Sequence, residues 1–519
     1  MGAVLVPRPS LHSLRAPPCG SLRGKRILAR ISVDSRQYAA GKELLVATGE
    51  IADGRTRFDL VIIGDGAGSF TAARLVAAAG GDVLLVVPDG SIGNDDDEIC
   101  LALFSEAARI RRRVQHASEF GVHTKLVGLE LEALAASYLR ASATQVRWRD
   151  AQRAALGISM VTGIVAACTA TTAVVRRADG GELTVESKAF VLAPRTRRVP
   201  LPGLEFDRDR VLQVRDLLNL RRLPPVLTLI GSDAIGCSLS WALAELGIEV
   251  TFLVPGAEVI PDADTDVQHV VRRSLADANV VVMSGAAVVA GKRGNGMIVL
   301  EMENGKHLDV NGQVLVAGRC APAWDGLFVD PLDRPLVDAE LTDAGEQLEG
   351  AFEGWRAIVG AHTAECRSPV AAAEAARLVR NVLGGEAWPT GDRLLPTMVP
   401  IEPEIAYAGM SENAAHAAGR EVLVQRIPFA GNGRARIIGA TDGFVKLITE
   451  RALDGGAGSL LGVHMAGPMV GEQLGQALLA IQWGATPGEL ADLVQPHPSL
   501  SEAFGEALLA LAGRGLHAT

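Results

Sequence analysis

Two strand–glycine–helix turns constrain this chain more than any other feature. The first runs Phe58-Asp59-Leu60-Val61-Ile62-Ile63 into Gly64-Asp65-Gly66-Ala67-Gly68-Ser69. A short, continuously apolar run of this kind reads as a buried strand of a parallel sheet. Helical spacing follows over Thr71 to Ala79, and a second strand over Asp82 to Val87. This is a βαβ unit with G-x-G-x-x-S at its first turn, formed by Gly64, Gly66 and Ser69. Gly64 permits the tight turn, and Gly66 lets a pyrophosphate approach bare backbone at the helix N-terminus. The second unit has an apolar strand over Val226 to Ile230 and a turn from Gly231 through Asp233 to Gly236. A helix over Cys237 to Leu246 and a strand over Glu249 to Val254 complete it. Two such units predict two dinucleotide-binding domains.

Composition excludes several other classes. The net charge is −10, and a nucleic-acid binder would carry a basic face. Hydrophobic residues make up 48% and charged residues 21%, the balance of a globular chain. Acidic residues interrupt the most apolar stretch, Val226 to Leu253, so no membrane span is expected. The six cysteines, Cys19, Cys100, Cys168, Cys237, Cys320 and Cys366, are scattered. Their spacing excludes local C-x-x-C or C-x4-C redox pairs and zinc knuckles, so no metal site is expected. Residues 1–33 carry arginines, lysine and serines but no acid, a composition that suits an organellar transit peptide. That reading places the protein in a mitochondrial matrix or plastid stroma. A disordered tail or an upstream start would instead fit the cytoplasm.

From Pro396 onward the texture changes. Short β-like runs at Arg436 to Ile438, Gly443 to Ile448 and Leu460 to Met465 predict an α+β domain with a mixed sheet. Helices are expected over Glu472 to Trp483, Pro487 to Val494 and Ser501 to Leu511. His497 precedes Glu502 by five residues at the start of the last helix. The two residues suit an orienting pair for general-base work. A helix start with Ser499 or Ser501 as N-cap is the alternative.

Taken together, these segments resemble the pyridine nucleotide–disulfide oxidoreductase family, in particular its dihydrolipoamide dehydrogenase and mercuric reductase branches. The most specific stretches are Pro403-Glu404-Ile405-Ala406, Gly409-Met410-Ser411-Glu412, Gly443-Phe444-Val445-Lys446, Gly462-Val463-His464-Met465 and His497-Pro498 through Ser501-Glu502-Ala503. Gly318-Arg319 with Pro322 resembles the turn that leaves the NAD(P) domain. The resemblance implies an α/β architecture: two Rossmann-like FAD and NAD(P) domains plus a C-terminal α+β dimerisation domain. The implied organisation is a leader at 1–55, FAD-type parts at 56–204 and 322–395, an NAD(P)-type insertion at 205–321, and a dimerisation domain at 396–519. It also makes His497 and Glu502 the catalytic pair, with the histidine reaching the opposite subunit.

Several positions depart from the family pattern. The family's redox disulfide comes from G-G-T-C-x4-C-x-P-S-K. Here Cys100 takes the second cysteine, Asp95 the first and Phe104 the lysine. A carboxylate cannot form a disulfide, and one thiol cannot close a two-thiol cycle. At the FAD ribose position Val87 replaces Glu, with Asp89 two residues on as a substitute. The ribityl-binding Asp is missing from Val359-Gly360-Ala361, and A-T-G becomes Ala193-Pro194-Arg195.

In the second unit Asp233 replaces the middle glycine, Val254 the acidic ribose ligand, and Ser238 the nicotinamide-facing glutamate. A carboxylate at roughly 4 Å from a pyrophosphate, at an effective dielectric near 20, repels it by about 4 kcal/mol. That corresponds to about three orders of magnitude in affinity. The candidate cofactor residues are Gly64, Gly66, Ser69, Asp89, Gly231, Gly236, Gly318 and Gly360. Weakened FAD binding and doubtful NAD(P)H binding are expected. The losses point to a pseudoenzyme-like homodimer, or a heterodimer with an active relative. The alternatives are an FAD-dependent NAD(P)H oxidoreductase passing electrons to a quinone or other small acceptor, and full dihydrolipoamide dehydrogenase activity.

Overall fold

The computed structural model describes residues 56–88, 96–294, 296–324, 326–329, 355–358, 368–383 and 394–515. The expected leader at 1–55 lies outside the described residues. Strands β1 (Arg57–Phe58) and β2 (Leu60–Ile63) lead into α1 (Ala67–Ala78) and β3 (Val83–Val87). Every residue of β2 and β3 is buried, as continuous apolar runs require when both faces of a sheet are covered. The two strands pair in parallel, with Leu60 opposite Val83. Helices α2 (Asp96–His116) and α3 (Leu131–Ala155) precede β4 (Ser159–Cys168), β5 (Thr172–Arg177), β6 (Glu182–Ser187) and β7 (Phe190–Leu192). With β18 (Arg356–Ala357) these form an eight-stranded sheet, in order β1-β6-β5-β4-β3-β2-β7-β18. Its half from β4 to β18 is parallel.

The chain leaves this sheet through β8 (Arg195–Arg198) and returns through β17 (Cys320–Ala323), which pair antiparallel. Between them, β9 (Val211–Gln213), β10 (Val226–Ile230), β11 (Glu249–Val254), β12 (Val281–Ser284) and β16 (Gln313–Val316) build a second sheet. It is parallel throughout. Helices α4 (Ala234–Glu245) and α5 (Thr265–Asp277) connect its strands. A separate three-stranded antiparallel sheet holds β13 (Val288–Gly294), β14 (Met297–Met302) and β15 (His307–Val310).

Helix α6 (Ser368–Leu383) lies against α1, where Gly68 leaves room for Ile358 and the Ala371 carbonyl. The last sheet takes β19 (Thr397–Val399), β20 (Glu404–Gly409), β21 (Val422–Pro428), β22 (Phe444–Arg451) and β23 (Ala457–Gly467), in order β19-β20-β23-β22-β21. Every pairing in it is antiparallel, which corrects the expected mixed sheet. Helices α7 (Glu412–Ala417), α8 (Gly433–Ile437), α9 (Val470–Gln482), α10 (Pro487–Leu490) and α11 (Glu502–Leu511) accompany it. The run Arg436 to Ile438, read as β-like, instead closes helix α8. The expected helix from Pro487 stops at Leu490 and does not reach Val494.

One apolar core joins three of these regions. Cys100 and Phe104 of α2, Leu239 and Trp241 of α4, and Val399 and Phe444 of the last sheet share it. Charged pairs secure α2 at its rim. Arg109 holds Glu404 at 2.6 Å and Arg112 holds Glu245 at 2.8 Å. No helix among the described residues is long and apolar enough to cross a membrane.

Candidate functional site

The two glycine turns sit at the C-terminal ends of their parallel strands, where ligands bind in open α/β sheets. Their local physics differs. At the first turn a Cβ on Gly64 would lie 2.3 Å from the Ala193 carbonyl oxygen, and one on Gly66 would lie 2.2 Å from that of Pro194. Gly64 also has φ +108°, a conformation side chains resist. Both glycines are therefore demanded by the crossing backbone before any ligand is considered. The Ser69 hydroxyl donates to the Gly66 carbonyl at 2.7 Å. No side chain caps α1, whose N-cap is Gly66. Beside it, the Arg195 Nε lies 2.7 Å from both oxygens of Asp65, and Arg195 Nη2 also donates to that carboxylate. Arg195, at the last position of the altered A-T-G turn, thus neutralises the acid between the first two glycines. An uncapped helix N-terminus beside a neutralised acid suits an anionic pyrophosphate. On this criterion the first turn fits FAD. Asp89, Asp95, Gly360 and Cys366 lie outside the described residues.

The second turn is arranged otherwise. Asp233 is 4% exposed and is the N-cap of α4, its Oδ1 accepting the Gly236 N–H at 2.7 Å. Gly236 is confined by that oxygen and the Phe252 ring, and Gly231 by the Gly318 backbone. Ser238 is fully buried, and its hydroxyl donates to Ala234 within α4. Val254 is buried too. Burial, reinforced by the Asp233 carboxylate, pushes the Cys237 thiol well above the ordinary range. These residues do not fit an NAD(P) pyrophosphate.

Cys100 is buried on α2, and its thiol donates to the Val214 carbonyl at 3.5 Å. Phe104, one helical turn on, is buried beside it. The α2 face that carries Cys100 and Phe104 thus packs into the apolar core. Cys100, Cys168 and Cys237 are thiols. Cys320 is disulfide-bonded, and the sequence spacing contained no sign of that bond.

His497 and Glu502 do meet. The His497 Nδ1 lies 2.7 Å from Glu502 Oε1, and the Ser499 N–H donates to the other oxygen at 2.8 Å. Burial alone would raise the Glu502 pKa, but these two hydrogen bonds outweigh it and hold the carboxyl below its ordinary value. Ser501 takes the N-cap position of α11 without a side-chain cap, and its hydroxyl meets that of Ser499 instead. The helix-start alternative is met in position, since Ser501 is the N-cap residue and Glu502 stands in the first turn, but no serine hydroxyl makes the capping bond; the Glu502 carboxylate takes the Ser499 N–H instead. The imidazole is 79% exposed, whereas the Cys100 thiol is enclosed in the core, so these two catalytic candidates occupy different surroundings.

Sequence reasoning missed two charged centres. Arg198 is buried, with Nε 2.7 Å from Asp97 of α2 and Nη1 donating to the Ala317 carbonyl at the end of β16. Lys446 is buried with its Nζ 2.8 Å from each of Asp264, Asp266 and Glu412. The GFVK and GMSE stretches signalled two of those four residues, but only as family markers. Among the described residues, no group of three or more His, Cys, Asp or Glu is placed to hold a metal.

A half-parallel and a fully parallel dinucleotide-type sheet, with an antiparallel C-terminal sheet, define an α/β oxidoreductase fold. Residues 58–344 match the pyridine nucleotide-disulphide oxidoreductase family, and residues 395–508 match its dimerisation domain. The chain belongs to this family. It is 27% identical over 477 residues to a dihydrolipoyl dehydrogenase of Bacillus subtilis, covering 89% of this chain and 99% of that one. It is 29% identical over 344 residues to dihydrolipoyl dehydrogenase 3 of Pseudomonas aeruginosa, covering 65% and 72%. Among solved structures, LpdA from Mycobacterium tuberculosis superposes with a TM-score of 0.77 at 24% identity, over 88% of this chain and 100% of that one. The flavoprotein disulfide reductase RclA from Escherichia coli gives 0.67 at 20% identity, over 87% and 99%. These two likenesses speak to the fold.

Proposed function

We propose that this chain is a pseudoenzyme-like, dimeric member of its family without disulfide reductase activity. The burial of Cys100 carries this reading. Its thiol is committed to the Val214 carbonyl inside an apolar core, and the position of the first family cysteine is Asp95. A thiolate relay needs an accessible, ionisable sulfur and a partner thiol. The dimerisation-domain match supports a homodimer, and a heterodimer with an active relative is the variant of this reading. The uncapped first turn supports FAD retention. There Gly64, Gly66 and the α1 N-terminus would hold the pyrophosphate, and flavin would supply two-electron redox chemistry.

The test is an absorbance spectrum with a lipoamide–NADH assay on purified protein. The expected result is no lipoamide turnover and, if the protein is yellow, no bleaching by NADH. Substantial lipoamide reduction would overturn the proposal. The open first turn also favours a second reading, an FAD-dependent NAD(P)H oxidoreductase acting on a quinone without a cysteine relay. It requires unchanged quinone turnover in Cys100→Ser, and it must overcome the closed second turn.

A further inference from the structure

The second glycine turn is closed by the chain itself at three places. At the first, the amino end of α4, Asp233 Oδ1 takes the Gly236 N–H that a pyrophosphate oxygen would otherwise accept. This is a built site: the acid is 4% exposed, and α4 is buried continuously from Ile235 to Leu243.

The second closure lies over the turn. The Ser232 carbonyl accepts the Ile260 N–H at 2.9 Å, and Ile260 holds a positive φ of 50° to reach it. Gln268 fixes that segment by donating to the carbonyls of Ile260 and Ala263. A β-branched residue in the left-handed region is costly and persists only where its surroundings enforce it.

The third closure is at the end of β16, which packs on the same turn: a Cβ on Gly231 would lie 3.2 Å from the Gly318 nitrogen. Here Arg198 donates to the Ala317 carbonyl and bridges to Asp97 of α2. The Arg198–Asp97 pair therefore ties the C-terminal end of β16, the end at which ligands bind in such sheets, to α2.

We propose that the second dinucleotide unit is self-liganded: the Asp233 carboxylate occupies the place of the pyrophosphate, and the unit takes no NAD(P)H. Electrostatic repulsion and internal occupancy are different mechanisms with different signatures. Repulsion needs only the charge. Occupancy needs a side-chain acceptor on the Gly236 N–H, charged or not.

The inference concerns binding and stands apart from the fate of the disulfide chemistry. A binding titration therefore separates it from the lipoamide assay. NADH and NADPH are titrated into the full-length protein by calorimetry, alongside Asp233→Gly and Asp233→Asn. Glycine is a tolerated N-cap and should leave the fold intact, while asparagine caps as well as aspartate without its charge. The wild type and Asp233→Asn should show no saturable binding, with melting temperatures close to each other. Asp233→Gly should bind at least about tenfold tighter than either. Micromolar binding by the wild type overturns the proposal. So does a gain in Asp233→Asn equal to that in Asp233→Gly, since charge alone would then be the barrier. Failure of both variants to gain binding removes Asp233 from the explanation and overturns the proposal too.

Discussion

At the scale of single residues, Lys446 offers the sharpest test. Its ammonium is surrounded by Asp264, Asp266 and Glu412, and Asp264 also accepts the Glu412 N–H at 3.1 Å. One buried cation thereby ties α5 of the second unit to α7 and β22 of the last domain. Removing one partner of a buried ion group leaves uncompensated charge, which costs about 3–5 kcal/mol. Lys446→Met should lower the unfolding free energy measured in urea by that amount, and a change within error would show the cluster to be dispensable. His464 lies fully buried nearby, with Nε2 3.1 Å from the Met410 carbonyl. Desolvation lowers its pKa from the ordinary 6.5, although Asp264 and the Met410 carbonyl pull the other way. The unfolded chain then binds its proton more readily than the folded one. Stability from this residue is present above about pH 6.5 and declines as pH falls below it. Denaturation midpoints at neutral and mildly acidic pH should diverge in the wild type and less in His464→Gln.

At the scale of elements, α11 begins on a carboxylate. Glu502 has a depressed pKa, so its contribution is present above the unfolded value of 4.5 and lost as pH drops through the lower folded value. In His497→Ala one of the two hydrogen bonds that hold it down disappears. The acid transition of the helix signal, followed by circular dichroism, should then move to higher pH; an unmoved transition would assign the helix start to Ser499 alone. Such elements were unequally legible in the sequence. Strands β10 and β11 fall where their apolar runs place them, because a strand buried on both faces leaves no other reading. Arg436 to Ile438 misled because its isoleucines suit a strand. The deciding residue is upstream: Asn432 caps α8 by accepting the Ala435 N–H at 2.9 Å. The role of Asp233 was half legible. Its charge was visible in the turn, but its hydrogen bond to Gly236, the Ile260 cover and the Arg198–Asp97 tie depend on residues distant in sequence.

At the scale of the whole molecule, the family's glycines persist here for reasons of folding. Gly64 and Gly66 make room for the Ala193–Pro194 backbone, and Gly462 for the Met410 carbonyl. A fold can thus keep motif glycines after ligand-contacting positions have changed, so motif survival alone does not argue for catalysis. Under the proposed function, assembly is the property such a scaffold would supply. On α9, Leu479 is 50% exposed, and Trp483, which follows it by one helical turn on the same face, is 74% exposed. Met398 and Met469 are also exposed, and Met398 lies against Gly471 at the start of the same helix. Apolar groups of this kind, on a domain matched to dimerisation, are best explained by a second copy that covers them. Sedimentation of the full chain should give twice the 54.3 kDa subunit mass. Trp483→Arg, which places a charge in that apolar patch, should shift the protein toward monomer with its circular dichroism unchanged. A wild type that sediments as a monomer at micromolar concentration would remove the dimer, and with it the dimeric reading of the proposed function.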